Sequence, residues 1–454
     1  MERKLEDIKI EKMVNTGLGL AKVDGKAVFV EDVVTGDIVD VEVISSNKSY
    51  EKAIVLSIKT PSPFRTEPFC KMSSVCGGCS WQHIKYAYQL EAKKQIVKEC
   101  LEKIAGQDVE VFDTIPSPLT QNYRVKVQYP VSQTKVSKRI LAGYYKKNTH
   151  EIINIKHCPI QPSLIDDITE FLREEAKNLN IPAYNEQKHK GTLRHFVFRY
   201  SMSGNKVLLT LVVNDYKLRD IIKKLSFNVS QKFPQIEGVV VNYNTQKTNK
   251  IMGNSSKLVV GEDSIIEKIE NIRYRISAES FFQVNIPTAK KILQKIKNTI
   301  LELYPQKDAS LLDAYSGVGM FSLYLADSLK KVSSIEECHK AVLDAKRNLK
   351  LNKVNNVNLI EGDVKQGFKE LLSKKERFDV VIIDPPRKGC EDSVLADIAT
   401  LSRKHIIYLS CNPSTLARDM KKLVEFGYKL KFVQPYDMFC HTPHVETLVL
   451  FEKD

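Results

Sequence analysis

From residue 310 to residue 426 the apolar positions switch repeatedly between two periods. Short β-rich runs, "SLLDAYS", "VSSIEE", "NVNLIEGD", "FDVVIIDPP" and "HIIYLS", carry the first period. Each is followed by a stretch with helical spacing: "GMFSLYLADSL", "HKAVLDAKRNLKL", "VKQGFKELLS", "SVLADIATLS" and "STLARDMKKLVEF". Strand and helix in alternation predict a mostly parallel, doubly wound, Rossmann-like sheet covered by helices. Two further strand-like runs, "YKLKFVQ" and "VETLVLFE", end the sequence.

The first 60 residues follow another pattern. "KAVFVEDVV", "DIVDVEVI" and "EKAIVLSIK" are β-branched runs separated by glycine and polar turns. Such short strands predict a small closed barrel, an architecture that often binds oligonucleotides. "TPSPF" reads as a linker, and a cysteine-rich patch and a helix, "YAYQLEAKKQIVKECL", follow it. From about 110 to 280 the chain reads mostly as strands with basic and aromatic residues mixed, as in "NYRVKVQY", "ILAGYYKK", "LRHFVFRYS" and "KVLLTLVV", with "PSLIDDITEFLREEAKNL" a helix among them. The expectation is a multidomain α/β protein with a barrel over 1–62, a β-rich central domain over 63–284 and the doubly wound domain over 285–454.

Charge adds a partner to this picture. The 454 residues carry a formal net charge of +14, which suits a polyanion such as nucleic acid. No window has the apolar length of a membrane span, and "MERKLEDIKIEK" lacks the apolar core of a signal peptide, so a cytoplasmic protein is expected. Nine cysteines in a reducing compartment argue for core residues, metal ligands or catalytic thiols rather than disulfides.

"LLDAYSGVGMFSL" places Asp313 at a strand end, with Gly317 and Gly319 in the turn that opens a helix. Glycine there lets the backbone approach a ligand closely. Glu336 ends the next strand, where a carboxylate can accept from ribose hydroxyls, and Asp363 ends the one after. A dinucleotide site would show G-x-G-x-x-G, but Ser322 holds the third glycine position. An acid just before the glycines suits a cofactor with an amino group and no phosphate, which points to S-adenosylmethionine. Asp384-Pro385-Pro386 then leaves the fourth strand at the edge where substrates sit in this architecture. Arg387 follows where amine-directed methyltransferases carry an aromatic residue.

Cys411 lies at the same edge, at the end of the fifth strand. Asn412 is a good N-cap and Pro413 fits the first helical position, so the thiol precedes a helix N-terminus, a position that lowers a thiol pKa. A cysteine beside a methyl donor has a specific use. C5 of a pyrimidine is a poor nucleophile until a thiolate adds at C6, which gives C5 carbanion character. A base must then remove the C5 proton, and Glu446 in "HTPHVETLVLF" is the candidate.

These stretches together resemble the RNA uracil-5-methyltransferase family. "SAESFFQVN", "LLDAYSGVGMFSL", "VIIDPPRKG", "LSCNPSTLARD" and "HVETLVLF" occur in the family's order, and the resemblance extends over nearly the whole chain. The resemblance implies that Gln283, Tyr315, Glu336 and Asp384 line the S-adenosylmethionine and uracil site. It places Asp363 at the adenine end, with Cys411 as nucleophile and Glu446 as base. Ser316 stands where the family often has cysteine, and Met320 where a small polar residue is usual. The N-terminal barrel is similar to the family's RNA-binding TRAM domain; the resemblance to members that have this domain together with a cysteine cluster implies ribosomal (23S) RNA as the expected substrate, with transfer RNA as the alternative. An amine- or cytosine-directed methyltransferase, and an RNA-binding or cluster-sensing protein with a degenerate cofactor site, are the other readings.

Cys70, Cys76 and Cys79, with Cys158 as fourth ligand, suit zinc or an iron–sulfur cluster. The family comparison favours a [4Fe-4S] cluster with a structural role. For RNA, Tyr123, Arg124 and Lys126 in "NYRVKVQY", and Arg194 in "KHKGTLRHFVFR", are the candidate contacts. The target uridine is expected in a single strand or loop, swung out of its stack. No obligate protein partner is evident, and a monomer is expected.

Overall fold

The computed structural model describes residues 3–454, which fall into two units. The first takes the N-terminal stretch through Ser74, Gly78–Pro118 and Phe368–Asp454; the second takes Val75–Gly77 and Leu119–Gly367.

The first unit begins with six strands: β1 (Arg3–Lys9), β2 (Lys12–Met13), β3 (Gly19–Val23), β4 (Lys26–Val30), β5 (Ile38–Ser46) and β6 (Tyr50–Thr60). They hydrogen-bond in the order β1-β5-β6-β4-β3-β2. The inward positions of each β-branched run, among them Ile8, Ala21, Val28, Val39 and Ala53, make one core. Buried Asp37 fastens the exit of this sheet. Its carboxylate accepts from the amides of Val34 (2.6 Å) and Ser62 (2.8 Å) and from the Arg65 guanidinium. Helix α1 (Tyr86–Cys100) follows, with Ala92, Ile96 and Val97 buried on one face.

The second unit is built on a sheet of β7 (Lys126–Gln133), β8 (Ile140–Ala142), β9 (Leu193–Ser201), β10 (Lys206–Val213), β11 (Ile236–Tyr243) and β12 (Ser255–Gly261), with α2 (Ser163–Asn178) and α3 (Arg219–Lys232) between its strands in sequence. Its order is β12-β11-β10-β9-β7-β8, antiparallel except for β10 with β11. A hairpin of β13 (Ser264–Ile269) and β14 (Ile272–Ser277) and helix α4 (Ile286–Leu303) come next. Strands β15 (Ser310–Ala314), β16 (Lys331–Glu336) and β17 (Val357–Glu361) then run parallel, each followed by its helix: α5 (Met320–Leu325), α6 (His339–Leu351) and α7 (Val364–Ser373), the last of which the division between the units cuts after Gly367.

The remainder of the first unit holds β18 (Phe378–Ile383), α8 (Asp392–Leu401), β19 (Ser402–Ser410), α9 (Pro413–Glu425), β20 (Tyr428–Tyr436) and β21 (Glu446–Lys453). β18 and β19 are parallel, while β21 pairs antiparallel with both β19 and β20.

One expected strand starts late. "NYRVKVQY" enters the sheet only at Lys126, because the preceding amides are satisfied elsewhere: Asn122 by Pro159, Arg124 by Ile160 and Val125 by Val284. Arg124 therefore lies before the strand that Lys126 begins.

Candidate active site

In the second unit, β15 delivers Asp313 into full burial (0% exposed). The Ser322 amide and hydroxyl both donate to its Oδ2, which ties the strand end to α5. Oδ1 is buried and has no hydrogen-bond partner. Burial first, opposed by the two Ser322 bonds, pushes this carboxyl up to about 7. The turn after it needs left-handed backbone at Tyr315 (φ 67°), Gly317 (φ 56°) and Gly319 (φ 82°). Glycine is the ordinary solution at such positions; Tyr315 is the uncommon one.

Glu336 closes this turn. Its Oε2 accepts from the Gly317 amide and its Oε1 from the Cys338 amide, both at 2.8 Å. Each oxygen keeps a second lone pair, so the carboxylate retains capacity for ligand hydroxyls. Gly362 donates its amide to the Glu336 carbonyl, which places Asp363 next to it. Gln283 is buried on the stretch before α4. That stretch is anchored by Ser277 and Ser280, which donate to Asp344 on α6, and the Phe281 carbonyl lies 4.0 Å from the place a Gly317 Cβ would take. A glycine cradle with a buried, unpartnered carboxylate oxygen fits a cationic, amino-bearing donor.

In the first unit three chain segments reach one edge. Parallel pairing of Ile383 with Tyr408 sends the loop after β18 and the loop after β19 out together. Ser410 pairs with Thr447 across the antiparallel neighbour, so the next positions along these two segments are Cys411 and Glu446. Asp384, Cys411 and Glu446 thus meet through register alone.

The Asp384–Arg387 loop is stapled to α9. The Asn412 side chain caps the helix by accepting from the Ser414 amide (3.2 Å) and donates to the Arg387 carbonyl (3.0 Å). Thr415 donates to the same carbonyl (3.2 Å), and Arg418 to those of Lys388 (3.0 Å) and Cys390 (2.9 Å). Buried Asp419 collects the Cys390 amide (2.8 Å), the Tyr408 hydroxyl (2.7 Å) and the Arg418 guanidinium. Gly389 fits only without a side chain: its φ is 72°, and a Cβ would stand 2.6 Å from both Arg418 Nη2 and Asp419 Oδ2. Gly389→Ala is expected to lower stability by about 1–3 kcal/mol, read as a lower urea midpoint. An unchanged midpoint would show that this loop is not held as described.

Electrostatics reverse one sequence expectation. The helix N-terminus does not win at Cys411: burial, then the Glu446 and Asp384 charges, push its thiol up to about 11, against a smaller downward pull from Arg387. Glu446 is 3% exposed, and its Oε1 has no hydrogen-bond partner. Burial, then the Asp384 charge, holds its carboxyl well above the usual range, again opposed by Arg387. The sign for Cys411 is testable without RNA. Thiolate fraction rises with pH up to the pKa, so iodoacetamide labelling of Cys411 is expected to keep accelerating between pH 8 and pH 10. A plateau near pH 8 in peptide mass spectrometry would contradict the raised pKa.

Other expected sites fare differently. Cys70 and Cys79 belong to the first unit, Cys76 and Cys158 to the second. Among the described residues no group of three or more His, Cys, Asp or Glu side chains is placed to hold a metal ion. The [4Fe-4S] and zinc readings thus gain no support. Of the RNA candidates, Tyr123 is 1% exposed and has no surface to offer a base. Arg194 is 4% exposed and donates to the carbonyls of Asn244 (2.6 Å), Gln246 (2.7 Å) and Thr248 (3.3 Å). Arg124 stacks over the Tyr144 ring, and burial beside Arg199 and Arg124 pulls Lys126 down to about 7.

A sequence model described as tRNA (Uracil-5-)-methyltransferase matches residues 85–454, and a TRAM domain model matches residues 1–56. The chain belongs to this uracil-5-methyltransferase family. It is 39% identical over 448 residues to an "Uncharacterized RNA methyltransferase" of Clostridium tetani, covering 98% of this chain and 95% of the relative. A protein of the same description from Bacillus cereus is 35% identical over 448 residues, covering 98% and 96%. Among solved structures, the Pyrococcus abyssi tRNA (uracil-54, C5)-methyltransferase in complex with S-adenosyl-L-homocysteine is similar, with a TM-score of 0.77 at 26% identity, covering 99% of this chain and all of that one.

The RNA uracil-5-methyltransferase is therefore a multidomain α/β protein with an N-terminal TRAM domain and an S-adenosylmethionine-dependent methyltransferase fold. Because the Pyrococcus tRNA enzyme aligns over 99% of the chain, the barrel does not by itself separate ribosomal from transfer RNA enzymes. Among the described residues no helix is long and apolar enough to cross a membrane.

Proposed function

We propose that this methyltransferase makes 5-methyluridine through a covalent bond between Cys411 Sγ and C6 of the target uracil. The observation that carries the reading is the register that sets Cys411 beside Glu446, with the Asp384–Arg387 loop stapled to the same edge. The thiol gives up its proton to solvent, the sulfur adds to C6, and the C5=C6 electron pair moves toward the C4 carbonyl oxygen as an enolate. Arg387, the one charge that pulls the Cys411 thiol down, favours the thiolate form. The Asp313–Gly319 turn and Glu336 would hold S-adenosylmethionine, which would supply an electrophilic methyl group and leave as S-adenosylhomocysteine. C5 takes that methyl, Glu446 takes the C5 proton, and the returning electron pair expels the thiolate. A carboxyl held above the usual range is, once ionised, a stronger proton acceptor than an ordinary carboxylate.

Ribosomal (23S) RNA is the substrate expected from the combined barrel and cysteine pattern, with the uridine in a loop and swung out of its stack. Transfer RNA is the second reading, favoured by the printed substrate of the Pyrococcus structure. Incubation with labelled S-adenosylmethionine and either unmodified RNA decides between them. Label as 5-methyluridine in ribosomal RNA supports the first reading; label in transfer RNA alone replaces it with the second. Label on an amine or on cytosine would overturn the uracil chemistry itself.

A further inference from the structure

The second unit contains a cavity of about 200 Å³ that uracil methylation does not use. Its walls include Tyr145, His150, Tyr184, Arg194 and His195, together with Pro130 and Val131 of β7. It is smaller than the roughly 300–1,000 Å³ typical of pockets for drug-sized ligands, and suits one planar ring.

Two residues of the lining each keep one buried polar atom without a partner. Arg194 spends its terminal nitrogens on the Asn244, Gln246 and Thr248 carbonyls, and its Nε is buried without a partner. His195 Nδ1 is also buried without a partner. Native structures seldom leave such groups unpaired, because each carries a desolvation cost. Burial and the neighbouring Arg194 charge push His195 down to about 4, so at neutral pH its imidazole offers one donor and one acceptor. The Arg194 guanidinium lies 4.3 Å over the Tyr184 ring, which fixes both groups as parts of one wall.

The remaining chemistry narrows the ligand. Tyr145 and Tyr184 supply aromatic surface, whereas Glu186 also lines the cavity and disfavours an anion inside it. Outside the cavity, Lys146, Lys188 and Lys190 are exposed on the same two loops that carry Tyr145 and Tyr184. A neutral ring within and anionic groups beside the cavity describe one nucleotide of a strand.

We propose that this cavity is a second base pocket, which receives one unstacked nucleobase of the substrate RNA other than the methylated uridine, while its flanking phosphates lie on Lys146, Lys188 and Lys190. The proposal rests on the reading of the protein as an RNA methyltransferase. It adds a residue-level source of substrate choice: RNA without an unstacked base at the right distance from the target uridine binds poorly.

The test is an abasic scan of the RNA fragment that the full-length protein methylates, with binding read by filter retention. One position other than the target is expected to weaken binding of the wild-type protein by roughly tenfold or more. In Tyr145→Leu, which keeps apolar bulk and removes the ring, the intact RNA is expected to bind about tenfold more weakly and the abasic penalty at that position to vanish. S-adenosylmethionine affinity, measured in parallel, reports that the variant is folded. A scan in which no base except the target matters overturns the proposal whatever the variant does. So does a Tyr145→Leu protein that keeps the full abasic penalty. Formation of 5-methyluridine is scored separately, so loss of that product would count against the uracil reading rather than against the pocket.

Discussion

Cys411→Ala is expected to lose methyl transfer completely, at least about 10⁴-fold, while RNA and S-adenosylmethionine affinities stay within a few-fold of the parent. The argument is chemical. Without addition at C6 there is no electron pair at C5 to take the methyl, so loss of the nucleophile removes the pathway rather than slowing one step of it. The structural side predicts little collateral damage. Cys411 is only partly buried, and the α9 cap depends on Asn412 and Pro413 rather than on the thiol. Removal of the sulfur leaves the Asn412–Arg387 and Asp419–Cys390 bonds in place. Single-turnover methylation and equilibrium binding, measured together, check this. Residual methylation near the parent rate would remove Cys411 from the reaction.

Glu446→Gln is expected to stop the reaction later. Addition at C6 and methyl transfer need the thiol and the donor, but release needs the C5 proton removed. The variant is therefore expected to accumulate a protein–RNA complex that survives denaturant, with turnover lowered by about 10²–10⁴-fold. Glutamine keeps the shape but cannot accept the proton. It also removes a charge that pushes the Cys411 thiol up, so addition itself is not expected to suffer. A denaturing gel with labelled RNA shows the complex as a slow band. Normal turnover with no slow band would take the base role away from Glu446.

Much of the site was legible because it rests on local rules. Asn412 and Pro413 read as the start of a helix, and they are its cap and first residue. "LRHFVFRYS" and "KVLLTLVV" became strands over their full length, since their β-branched runs are bounded by polar turns. The sign at Cys411 was not legible, because it is set by Asp384 and Glu446, which arrive from other strands through register. The roles of Arg418 and Asp419 were also missed, although a signal existed. Asp419 falls at helical spacing from Leu416 and Leu423, and an acid on an apolar face needs partners once buried. It finds them in Cys390, Tyr408 and Arg418. Tyr123 and Arg194 are both buried, and composition does not say which way a basic or aromatic side chain turns.

The covalent bond is the centre of the account, and RNA carrying 5-fluorouridine at the target position tests it most directly. Fluorine at C5 cannot leave as a proton does, so addition and methyl transfer go forward but release cannot follow. Digestion of the trapped complex and mass spectrometry are expected to find the methylated fluorouridine attached to the peptide that contains Cys411. Attachment at another residue, or no attachment while unsubstituted RNA is methylated normally, would contradict the mechanism.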